Sequence, residues 1–114
     1  MTPQTAYKVL TDAEMKELET GAFAGSAVDR ADGFIHLSTA DQLTETVDKH
    51  FAGQSALWVV AVDLAAEGQL VKWEPSRGGA LFPHLYGALL LETVIAYQPL
   101  ARDEDGKVRL PVAG

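Results

Sequence analysis

Cysteine is absent from the 114 residues, which removes disulfides, thiolate nucleophiles and Cys-ligated zinc or iron–sulfur centres. Long apolar runs are also missing. The longest, residues 56–62, is far too short to cross a bilayer. Residues 1–6 carry no basic stretch leading into an apolar one, so no signal peptide is expected and the cytoplasm is the default location. Basic residues are few, 9 against 16 acidic ones, for a net charge of −7. A surface of that sign repels phosphate backbones and anionic lipid, so neither nucleic acid nor a membrane is expected as a partner. A local basic pocket remains compatible with it. No Walker or dinucleotide-binding glycine pattern occurs, no Gly-x-Ser-x-Gly elbow, no repeat and no linker.

What is present suits one folded domain spanning residues 1–114. Apolar residues make up 47% of the chain and charged residues 22%, enough for a core and too little charge for disorder. Residues 6–10 read as a first strand. Thr11 with Glu14 forms a capping box that opens a helix, Met15 and Leu18 give it an apolar face, and Gly21 ends it. Residues 25–32 read as a polar connection holding Asp29, Arg30 and Asp32. Residues 34–38, Phe-Ile-His-Leu-Ser, read as a strand with Ile35 and Leu37 on one face and Phe34, His36 and Ser38 on the other. Ser38 then caps a second helix, with Asp41 at its third position and Ala40, Leu43, Val47 and Phe51 on one side.

The later half is strand-rich. Residues 57–62 are apolar and β-branched, as in a central strand covered on both faces. Residues 70–73, 81–86 and 93–97 read as further strands, with Pro83 assigning the second of these to an edge or a bulge. Residues 103–107 read as a turn and 108–112 as a returning strand. The predicted fold class is α+β: a small mixed or antiparallel sheet with two main helices in the N-terminal half.

Chemistry-bearing residues concentrate in three places. His36 stands before a helix start whose amides suit an anion, with Ser38 and Thr39 adding hydroxyls; the competing reading is a hydrogen-bonded, half-buried ring and a plain cap. Glu74-Pro75-Ser76-Arg77-Gly78-Gly79 could bring Arg77 and a close-approaching backbone to a phosphate or carboxylate, or could be an ordinary glycine turn. Phe82, His84 and Tyr86 share a face that could stack a planar ring, or could pack inward with His84 at the rim. The histidines have no metal-pair spacing, although His36, His84 and Glu74 could still converge in space; no metal is expected. His36 and His84 are expected on one cleft, within about ten ångströms of each other, with Arg77 opening onto it.

Two resemblances follow from these residues. Gly33-Phe34-Ile35-His36-Leu37-Ser38-Thr39, Trp73-Glu74-Pro75 and Phe82-Pro83-His84-Leu85-Tyr86-Gly87 together resemble a bacterial family, domain of unknown function 952, over about residues 7–100. More distantly, the order of first strand, helix, Gly21 and a second strand bearing His36 resembles ADP-ribosyltransferase-like domains, including the RNA 2′-phosphotransferases. That resemblance implies a nucleotide or NAD-like ligand and attack on the nicotinamide ribose. It would make Glu74 and His36 catalytic, with Glu92 as another carboxylate candidate. Lys8, Ser38, Arg77, His84 and Tyr86 would then bind ligand. Family members often carry His where this chain has Lys8, so Lys8 would contact a phosphate or mark a protein without catalysis. The alternative implied by that departure is a non-catalytic ligand-sensing or protein-interaction module.

Overall fold

Seven residues, Thr5–Thr11, form β1 and lie antiparallel against β3, Leu57–Asp63, from Thr5 opposite Asp63 to Thr11 opposite Leu57. The β-branched run of β3 favours a pleated, doubly covered position. It occupies one: β6, Val94–Pro99, pairs on its other side and makes a three-stranded sheet in the order β1-β3-β6. The structure, a computed structural model, describes residues 3–111, apart from the Arg77 side chain.

The Thr11–Glu14 capping box starts α1, Asp12–Thr20, and Gly21 closes it in a left-handed conformation at φ 80°. The segment expected to be a polar connection is instead partly helical. Ser26 and Asp29 form a second capping box that opens α2, Ala27–Asp32. The next strand, β2, is only Ile35–His36. Thr39 rather than Ser38 precedes α3, Ala40–His50, and its amide donates to Gln42 Oε1 at 3.0 Å. Leu43 and Val47 are the buried residues of α3, whereas Ala40 is exposed and Phe51 stands just past the last turn.

A short α4, Leu64–Glu67, and a single 3₁₀ turn containing Leu70 lead into β4, Val71–Pro75. β5, Leu81–Leu85, lies between β2 and β4 in a second three-stranded antiparallel sheet. Pro83 is thus in a central strand, not at an edge. Its carbonyl accepts from Leu37 N at 3.1 Å, so its missing N–H faces β2 where that short strand has already ended. Residues 103–107 turn as expected, but 108–112 form no strand within the described residues: Val108 makes one isolated bridge to Arg102, and Val112 lies outside them.

Leu10, Val60 and Val62 from the first sheet pack with Ile35, Leu37 and Leu85 from the second, so the core lies between the sheets. On the other face of the first sheet Tyr7, Val9, Val59 and Ala61 pack against Leu43 and Val47 of α3. A backbone bridge joins the sheets, Tyr7 N to Ser38 O at 2.8 Å and Ser38 N to Tyr7 O at 2.9 Å. Strand alternation puts His36, Lys72, Glu74 and His84 on the face of the second sheet away from Ile35 and Leu85, and ring contacts bring Phe34 and Tyr86, just beyond the strand ends, to the same face.

Candidate ligand site on the outer face of the second sheet

β2 and β5 set His36 directly opposite His84, and their rings meet edge-on with centroids 5.4 Å apart. Two residues earlier on the same face, Phe34 stacks on His84 at 4.2 Å and lies 4.6 Å from His36 and 5.1 Å from Tyr86. Glu74 arrives from β4. Its Oε1 accepts from His84 Nδ1 at 2.8 Å and from the Tyr86 hydroxyl at 2.7 Å. The hydrogen bonds from His84 and then Tyr86 hold the Glu74 carboxyl below its ordinary range, and the Lys72 charge adds to this. The same bond to Glu74 pushes the Tyr86 phenol up. Lys72 reaches over the Tyr86 ring at 4.9 Å. Glu74 is therefore an ionised, half-exposed carboxylate fixed from two sides.

The other half of the site turns on Asp29, whose side chain is 1% exposed. Its Oδ2 contacts Lys8 Nζ at 2.8 Å and accepts from Ser26 N at 2.9 Å. Its Oδ1 accepts from His36 N at 3.1 Å and from His36 Nδ1 at 2.7 Å. The second ring nitrogen, Nε2, faces Asp32 Oδ2 at 3.0 Å, so each nitrogen of the His36 ring has a carboxylate acceptor. Burial alone would raise the Asp29 carboxyl. The Lys8 charge and hydrogen bond, the Ser26 amide and His36 outweigh it, and the net displacement is downward.

That direction sets a pH dependence. A carboxyl lowered in the folded state adds stability that is complete above the unfolded value, about 3.9, and is lost as pH falls through the folded one. The melting temperature should therefore fall below about pH 4. An Asp29→Asn variant, weaker at neutral pH, should lose less over the same window; equal slopes for the two proteins would remove Asp29 as the cause.

His36, His84, Glu74 and Tyr86 thus share one face. Lys8 belongs to the same network, but it is buried and already held by Asp29, not offered to a phosphate. Ser38 is buried too, its backbone bonded to Tyr7 and its Oγ 2.9 Å from Thr46 Oγ1. The Arg77 side chain lies outside the described residues. Glu92 sits in an exposed turn at Leu91–Thr93, between β5 and β6. Sequence reasoning missed Asp29 and Asp32; the Ser26-x-x-Asp29 spacing was the signal available. Among the described residues no group of three His, Cys, Asp or Glu could hold a metal ion. None of the described helices is long and apolar enough to cross a membrane.

A cleft of about 400 Å³ adjoins this face, lined by Asp29, Arg30, Phe34 and, deeper, Phe23 and Leu85. His36, half-buried, and His84, buried, are not among its lining.

The profile of the family described as protein of unknown function (DUF952) matches residues 9–97. The chain belongs to this family. Apart from Lys8, every candidate site residue falls within the matched DUF952 region. The crystal structure of protein CC0527 from Caulobacter crescentus is 48% identical, with 93% of this chain and 94% of that one covered and a TM-score of 0.83. The solution NMR structure of CC0527 is also 48% identical, with 93% and 91% covered and a TM-score of 0.77. No curated protein gave a significant match. Both CC0527 structures support the α+β architecture of this DUF952 chain, with its antiparallel sheets.

His84 is 4% exposed and stacked on Phe34, so His84→Ala in this DUF952 protein should cost stability as well as geometry, about 1–3 kcal/mol. His36→Ala should cost less in melting temperature, because the His36 side chain is 30% exposed. Thermal melts of the two variants that ranked the other way would contradict this placement.

Proposed function

We propose that this DUF952 protein binds a nucleotide, with NAD as the leading candidate, on an ADP-ribosyltransferase-like frame. The supporting observation is Asp29: one buried carboxylate ties Lys8 of the first strand to His36 of the second. The strand–helix–strand-His order is thus closed around a single group in space. The surrounding chemistry fits such a ligand. Phe34 and Tyr86 offer ring faces for a nicotinamide or base. Arg30, exposed beside the 400 Å³ cleft, can meet a phosphate. Glu74, held ionised, can face a ribose carbon that gains positive charge as nicotinamide leaves, and His36 can orient a ribose hydroxyl or phosphate.

Heteronuclear NMR titration with NAD, ADP-ribose and 2′-phosphorylated RNA tests this reading. Shifts should centre on Phe34, His36, His84 and Tyr86, and His36→Ala should weaken binding about tenfold or more. No response to any of the three at millimolar concentration would end the proposal. A second reading, a non-catalytic ligand sensor, is favoured by one feature: the Lys8 amine is committed to Asp29. Binding of NAD without release of nicotinamide over days would select it.

A further inference from the structure

A second cleft, of about 760 Å³, lies on another part of the molecule, between the start of β1 and the start of α3. It is a built feature. Gln42, in the first turn of α3, accepts from Thr39 N at 3.0 Å and donates Nε2 to Leu81 O at 2.7 Å. Thr39 and Leu81 both line the cleft, so this one side chain clamps two of its walls together. The Tyr7–Ser38 bridge fixes the strand beside them.

Three chemistries meet there. Ala40 and Asp41 begin an eleven-residue helix, and first-turn amides have no intrahelical acceptor, so they suit a carboxylate. Tyr7 lines the cleft at 9% exposure, and its phenol has no hydrogen-bond partner among the described residues. Burial pushes that phenol up, so it stays a neutral donor facing the open cleft. Asp41 adds an exposed carboxylate at the same mouth, which would repel a simple anion and attract an ammonium. Half-buried Trp73 and the exposed Leu81 supply an apolar wall.

We infer that this cleft is a second ligand site, for a small aromatic zwitterion of the kind a free aromatic amino acid presents. Its carboxylate meets the α3 amides and the Tyr7 hydroxyl. Its ammonium meets Asp41. Its ring lies against Trp73. An anion alone or a cation alone would leave one of these charges opposed. A cleft of this size is in the range of small-ligand sites, about 300–1,000 Å³.

The test is NMR titration of the whole chain with L-tryptophan, N-acetyl-L-tryptophan and L-tryptophanamide. L-Tryptophan should shift the Tyr7, Ala40 and Asp41 amides and the Trp73 indole. Each derivative lacks one charge and should bind about tenfold more weakly. Asp41→Asn should weaken L-tryptophan, which loses its ammonium partner, and tighten the N-acetyl form, which loses a repelling carboxylate. Tyr7→Phe should weaken L-tryptophan and the N-acetyl form alike, with a melting temperature near that of the parent. Equal binding of all three compounds, shifts confined to the His36–His84 face, or no shift at about 10 mM would each overturn the inference.

Discussion

Asp29→Ala is expected to destabilise the protein by about 3–5 kcal/mol, the usual cost of removing one partner from a buried ion pair. For a chain of this length that is a fall in melting temperature of roughly 10–25 °C. The carboxylate is where three segments meet: β1 through Lys8, the α2 cap through Ser26, and β2 through the His36 backbone and ring. Its loss strands a Lys8 ammonium that is 8% exposed at the side chain and leaves the His36 amide without its acceptor. A paired replacement separates these causes. Lys8→Met with Asp29→Leu removes both charges and should recover most of the loss, because well-packed apolar residues often replace a buried pair at little cost. Calorimetric melts of the three proteins decide it. A single variant within about 2 °C of the parent would show that the pair contributes little.

Leu85→Ala should cost about 2–5 kcal/mol, the range for emptying a fully buried leucine position. Leu85 is 0% exposed and stands at the centre of the second sheet, opposite Ile35 on one side and Val71 on the other. It also lies between His84 and Tyr86, whose side chains leave β5 on the opposite face. The cavity would therefore loosen the strand that holds Glu74 in place. Denaturant unfolding gives the stability term. The site term is read from the His84 ring resonances, which should broaden or move as the Phe34 stack relaxes. Loss of stability with unchanged His84 signals would show that the outer face is insulated from the core beneath it.

The sequence made some of this legible and hid the rest for identifiable reasons. Period-two alternation grouped Phe34 with His36 and His84 with Tyr86, as the structure has them, but it also put Ser38 on the Phe34–His36 face, and Ser38 is buried against Thr46 because β2 ends at His36. The Thr11–Glu14 box was equally plain. The Ser26–Asp29 box had the same form, but it opens a helix of six residues with no apolar stripe, so periodicity offered nothing to confirm it. Pro83 misled because the rule against proline in central strands assumes a neighbour that needs the missing N–H, and β2 stops short of it. Lys8 misled in the opposite sense. A lysine in a strand suggests a charge offered to solvent or ligand, and only the three-dimensional closure of α2 over β1 shows that its counter-ion is internal.

The pairing scheme also bears on how the chain acquires its shape during synthesis. β1 waits for β3, more than fifty residues further on, and β2 waits for β5, about fifty residues after it. Apart from the Tyr7–Ser38 backbone bridge, neither early strand has a strand partner within its own half. Emerging vectorially from a ribosome, the first half can form only α1, α2 and α3, each too short to persist alone. β1 and β2 stay unpaired until β3 and β5 have been made. Folding should thus be one late, largely concerted event, in milliseconds to seconds, as expected where distant partners must meet. A nascent chain arrested before β5 would hold Lys8 on a β1–β3 pair but would lack the strand on which β2 and His36 are set.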